Sequence, residues 1–86
     1  MQTDKKGWRK NTKIHPVLVG RFSSNMKRIR EARGYTHEAF AKVAKITGPY
    51  VSLLEAQERT PSLLMVERIA WALGVDPADL LKEVKA

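Results

Sequence analysis

The chain has 86 residues, 43% of them hydrophobic, and carries a formal charge of +7 with no cysteine. That length leaves room for one packed domain with a modest core, and the absence of cysteine excludes both a disulfide framework and a thiolate metal site. Two histidines do not make a metal-ligand cluster, so no cofactor is expected, and no apolar run approaches a membrane span or a signal-peptide core. A cytoplasmic location is the resulting expectation.

The charge is unevenly placed. Met1 to Arg33 holds ten Lys or Arg against two acids, whereas Gly34 to Ala86 holds six against seven. A positive field of this kind attracts polyanions, because each neutralised phosphate releases condensed counterions. Acidic membranes and acidic proteins attract it too, so charge leaves the partner open.

Residues 1–15 read as a flexible basic arm, with Lys5, Lys6, Arg9, Lys10 and Lys13 and no sustained apolar period. Trp8 within it is ambiguous between stacking on a ligand, docking on the domain and simple exposure. The domain proper is expected over 16–86. Pro16 suits a first helical turn, and Val19, Phe22, Met26 and Ile29 recur on one face of a helix ending at Gly34. Ser23, Ser24 and Asn25 are indifferent helix formers, so the apolar stripe is expected to hold that turn.

Thr36 is an N-cap for a second helix running to about Ala44, with Glu38 near the positive end of its dipole and Phe40, Ala41 and Ala44 facing inward. Thr47 can cap a third helix, about 47–56, in which Pro49 loses only an amide hydrogen that lacks a partner anyway. Val51 and Leu54 are its inward residues. After a loop over 56–61, Ser62 caps a fourth helix with Leu63, Val66, Ile69, Ala70 and Leu73 inward and Gly74 at its stop. Asp76, Pro77 and Asp79 open a fifth helix. The expected fold is all-α, a compact five-helix domain with a central helix-turn-helix.

Two short helices joined by a tight turn have the spacing that lets the second enter a DNA major groove, although ordinary helical bundles contain such pairs as well. The residues say more than the spacing. Arg30-Glu31-Ala32-Arg33-Gly34-Tyr35-Thr36, Phe40-Ala41, Ile46-Thr47, Val51-Ser52-Leu53-Leu54-Glu55, Pro61-Ser62 and Ala70-Trp71-Ala72-Leu73-Gly74-Val75 stand in an order and at gaps that resemble the Cro/repressor-type, or XRE-like, helix-turn-helix family. The resemblance runs from about Met26 to Leu81, and it implies a lambda repressor-like fold and binding to double-stranded DNA.

It also implies roles for particular residues. Arg30 and Glu55 stand where the family carries a structural ion pair between its first and third helices. The start of the second helix, at Thr36 and His37, should abut a phosphate, since free amides and the helix dipole favour an anion there. His37 replaces the usual glutamine, so its contact is expected to strengthen as the ring protonates, around pH 6.5 for an ordinary imidazole; the alternative is a solvent-facing ring. On the third helix the family reads bases from the positions of Gly48, Pro49, Ser52 and Leu53, with Thr47 as cap. Gly48 and Pro49 cannot make the bidentate base contacts of long amide or basic side chains. Ser52 offers a hydroxyl, and Leu53 or Pro49 an apolar contact for a thymine methyl. Tyr50 reaches either a phosphate or the second helix, and Arg59 is the best remaining long donor. Lys45 and Gln57 replace glycines at sites suited to a left-handed backbone, and Glu58 adds a negative charge near the phosphate track.

Leu64 and Trp71 lie one heptad apart on the fourth helix, opposite its core stripe, with Met65 at their margin. They suggest a homodimer surface, as in relatives that read two half-sites, or a patch that the arm covers within one chain. The leading expectation is a dimeric, sequence-specific DNA-binding transcriptional regulator, a repressor, with its third helix in the major groove. The alternative is a protein-interaction module on the same scaffold, an antitoxin or adaptor, binding DNA weakly or non-specifically. No Ser/His/acid set or phosphate-binding glycine loop supports an enzyme.

Overall fold

The computed structural model describes residues 17–84; Pro16 and the arm with its basic residues and Trp8 lie outside them. Among the described residues five helices follow in order: α1 Val17–Ala32, α2 His37–Ala44, α3 Gly48–Glu55, α4 Leu63–Leu73 and α5 Pro77–Leu81. Each of the last four starts where a capping side chain meets an otherwise unpaired amide. Thr36 Oγ1 accepts from Ala39 N at 3.0 Å, Thr47 Oγ1 from Tyr50 N at 3.2 Å and Ser62 Oγ from Met65 N at 3.0 Å. Asp76 and Asp79 form a reciprocal capping box at α5. Hydrogen bonds from the Lys82 ammonium and the Asp76 amide hold the Asp79 carboxyl below its usual range.

The helices enclose one core built from Phe22, Met26, Phe40, Val51, Leu54, Ile69, Leu73 and Leu80, all essentially inaccessible to solvent. α1 runs through the middle of the packing, touching α3, α4 and α5, while α2 packs on α3 and α4. The apolar stripe does not hold α1 alone. Ser23 Oγ donates to the Leu54 carbonyl at 2.7 Å, in the last turn of α3, where that carbonyl has lost its regular helical partner and otherwise accepts from the following turn, the Gln57 amide at 3.2 Å. Asn25 Nδ2 donates to the carbonyls of Leu80 at 3.1 Å and Lys82 at 3.0 Å, and its Oδ1 accepts from Arg28 at 3.0 Å. Both residues are buried. The two indifferent helix formers are therefore the polar pins that fix α3 and α5 to α1.

Leu63 departs from expectation. It shares the face of Val66, Ile69 and Leu73, yet it is 83% exposed. A helical wheel gives a side chain's direction; it does not supply a neighbour at the helix's first turn. There Leu63, Leu18 and Pro61 rim a shallow apolar groove instead of a core.

Lys45 and Gln57 both adopt the left-handed region, at φ 61° and 63°. Lys45 ends α2 with its amide on the Ala41 carbonyl, and Gln57 turns the chain out of α3. Each conformation costs a non-glycine residue about 1 kcal/mol. Lys45→Gly and Gln57→Gly should each raise stability by up to about 1 kcal/mol, measured by urea denaturation. Asn25→Ala should instead lower it by about 1–3 kcal/mol, because it strips a donor from buried carbonyls.

Candidate nucleic-acid interface

α2 and α3 meet at the Lys45 turn, and α1 fixes their common orientation through one buried ion pair. Arg30 Nε donates to Glu55 Oε2 at 2.6 Å and Nη2 to Oε1 at 3.0 Å, with the two side chains only 7% and 6% exposed. Nη1 donates to the Tyr35 carbonyl at 2.7 Å, so the same guanidinium also holds the turn leading into α2. Glu55's hydrogen bond holds Arg30 above its ordinary pKa despite burial, and Glu31, 3.8 Å away, adds a little in the same direction.

His37, at the first position of α2, joins this cluster. Its Nε2 lies 3.1 Å from Glu55 Oε1, while the ring remains partly exposed. The ring is thus neither free for solvent nor aimed with both nitrogens outward. Thr36 and Thr47 each accept a capping bond, which leaves each hydroxyl hydrogen available to an outside acceptor. The amides of His37 and Glu38 have no helical acceptor, so the start of α2 presents donors and positive partial charge.

Along α3, Pro49 and Ser52 are exposed, Leu53 and Tyr50 half-buried and Gly48 buried. Gly48 therefore falls out of the reading surface: the Glu38 carboxylate lies over it where a side chain would stand. Tyr50 packs against the core. Arg59 is exposed beyond α3, its Nη1 donating to the Glu58 carbonyl at 3.0 Å. Lys5, Lys6, Arg9 and Lys10 lie outside the described residues.

Sequence reasoning passed over Lys27. It lines, with His37, Ser52, Glu55 and Ala56, a notch between α1, α2 and α3. The signal was available: Lys27 is three residues before Arg30 and so shares its helical face. On α4, Leu64 and Trp71 are 68% and 72% exposed. Trp71 borders a groove with Val43, Lys45 and Arg68, while Met65 packs against the core.

This arrangement has counterparts. A helix-turn-helix family model matches residues 26–80, more than half of the chain. An uncharacterised HTH-type transcriptional regulator of Sinorhizobium fredii is 34% identical over 64 residues, covering 74% of this chain and 79% of the relative. One of Bacillus subtilis is 35% identical over 51 residues, covering 59% and 67%. Among solved structures, a hypothetical transcription factor from Neisseria aligns with a TM-score of 0.73 at 31% identity, over 76% of this chain and 75% of that one. The restriction-modification controller protein C.AhdI of Aeromonas hydrophila aligns at 0.69 with 27% identity, over 72% and 94%.

The ion pair predicts a specific pattern of stability losses. Glu55→Ala should destabilise by about 3–5 kcal/mol, because it leaves a buried guanidinium uncompensated, whereas the apolar double change Arg30→Met with Glu55→Leu should lose much less. Chemical denaturation monitored by circular dichroism distinguishes the two. Gly48→Ala should shift stability by less than about 1 kcal/mol, since the end of the Glu38 side chain can swing aside.

Proposed function

Because the chain belongs to the helix-turn-helix family, we propose that it is a sequence-specific transcriptional regulator that places α3 in the DNA major groove. The supporting observation is the shared face formed by the start of α2 and the outward side of α3. It offers the hydroxyls of Thr36 and Thr47 and the imidazole of His37 beside the exposed Pro49, Ser52 and half-buried Leu53. Phosphates meet the helix start and fix register, while α3 touches base edges.

Ser52 accepts or donates to a base edge, and Pro49 and Leu53 pack against thymine methyls. Tyr50 contributes its phenol at the border of this face, and Arg59 reaches the backbone beyond α3. Lys5, Lys6, Arg9 and Lys10 add electrostatic contacts. With few long donors on α3, discrimination leans on DNA shape and on half-site spacing. Leu64 and Trp71 form the homodimer contact, since a large uncovered apolar pair opposite the core is suited to burial against its own copy. A dimer across two half-sites about one DNA turn apart occupies a promoter and so represses it. Its target places it in the cytoplasm, and no helix among the described residues is long and apolar enough to cross a membrane.

The same small reading residues favour a second reading, a protein-interaction module of antitoxin or adaptor type. Selection from a random DNA pool separates the two. The regulator reading expects the selected duplex to bind at least about a hundredfold tighter than its scrambled form, with affinity falling in salt at a log-log slope near −4 to −5 for about five neutralised phosphates. Equal affinity for both duplexes overturns it. Arg59→Ala should weaken all sequences alike and reduce the slope by about 1. Leu64→Glu with Trp71→Glu should yield a monomer in sedimentation analysis while leaving the circular dichroism spectrum unchanged.

A further inference from the structure

We infer that DNA binding by this chain takes up a proton on His37, so that the DNA-contacting form carries an imidazolium. The inference rests on the DNA-binding reading above and concerns the regulation of that same surface.

Glu55 Oε1 faces both Arg30 Nη2, at 3.0 Å, and His37 Nε2, at 3.1 Å. A carboxylate already engaged by a guanidinium has only lone pairs to offer, so the nitrogen that faces it must carry the hydrogen. The neutral ring is thereby fixed as the Nε2–H tautomer. Its Nδ1 then bears a lone pair, and among the described residues that nitrogen has no hydrogen-bond partner on a ring whose side chain is 42% exposed. A lone pair cannot donate to a phosphate or to a base acceptor. The free protein therefore presents the wrong group at the start of α2, and a second proton is needed to turn Nδ1 into a donor.

Charged groups of both signs surround the ring. From α3, Glu55 favours the imidazolium; from α1, Arg30 and Lys27 oppose it and Glu31 favours it; on α2 itself the helix start opposes it, and the Glu38 carboxylate is turned over Gly48. An incoming phosphate favours the imidazolium, because it adds an anion beside the partly exposed ring. The sign follows: the bound state holds the proton more tightly than the free state, so affinity is highest at low pH and falls as pH rises through the imidazole range. Glu55 is a positioning residue in this device, since it acts on DNA only through the tautomer it imposes.

The test measures affinity of the full chain for its selected duplex from about pH 5.5 to about pH 8.5 at constant salt. The expected result is a loss of roughly tenfold per protomer across that range, and a flat profile for His37→Gln, which keeps a side-chain donor that does not titrate. A flat wild-type profile overturns the inference, as does an equal slope in His37→Gln, which would assign the proton elsewhere, for instance to His15. Nitrogen-15 spectra of the free protein at neutral pH give an independent reading: the Nε2–H tautomer is expected, and a dominant Nδ1–H tautomer overturns the inference. Failure to prefer the selected duplex at every pH defeats the regulator reading itself, and is distinguishable because the tautomer measurement needs no DNA.

Discussion

One guanidinium sets the geometry on which the rest of the molecule depends. Arg30 reaches from α1 to the last residue of α3 through two hydrogen bonds, and to the Tyr35 carbonyl ahead of α2 through a third. Helices of eight residues have little stability of their own, so their mutual angle has to come from tertiary contacts. A planar fork that meets a carboxylate in two places fixes direction as well as distance, which a contact between apolar side chains does not. The cost is a buried charge on each side, so the pair contributes orientation more than net stability.

The same arrangement limits what the outer face can do. Glu55 is occupied on one side by Arg30 and on the other by His37, and Glu38 lies over Gly48 at the start of α3. Two carboxylates thus sit close to the proposed phosphate track: Glu55, held by Arg30 and His37, and Glu38, which is exposed and lies over Gly48. What remains outward is a pair of capping hydroxyls, one imidazole, one serine and apolar carbon. On the proposed reading, such a face would position itself on a backbone well and discriminate bases weakly, leaving specificity to DNA deformability and to the spacing of two copies.

Behind that face, α4 and α5 supply the counterweight. Ile69, Leu73 and Leu80 close the core against Phe22 and Met26, and the buried Asn25 pins the end of α5 to α1. A polar residue in this place specifies one arrangement of the two helices, since any slip would leave buried carbonyls without their donor. The outward side of α4 is free of these duties, and Leu64 and Trp71 stand on it uncovered.

The sequence alone determined the five helices, their caps and most of their inward stripes, because capping bonds and helical period are local and act within a few residues. It also carried the family pattern, and with it the Arg30 and Glu55 positions, and the left-handed sites at Lys45 and Gln57. Tertiary structure decided the rest. Whether Leu63 has a neighbour, whether Gly48 is open or lies beneath Glu38, and that Ser23 and Asn25 hold carbonyls more than thirty positions away are facts about packing between distant segments. His37 shows the difference most plainly. Its residue type announced a side chain with two possible donor nitrogens, but only the fold brings Glu55 within 3.1 Å of one of them, the contact on which the inferred tautomer rests.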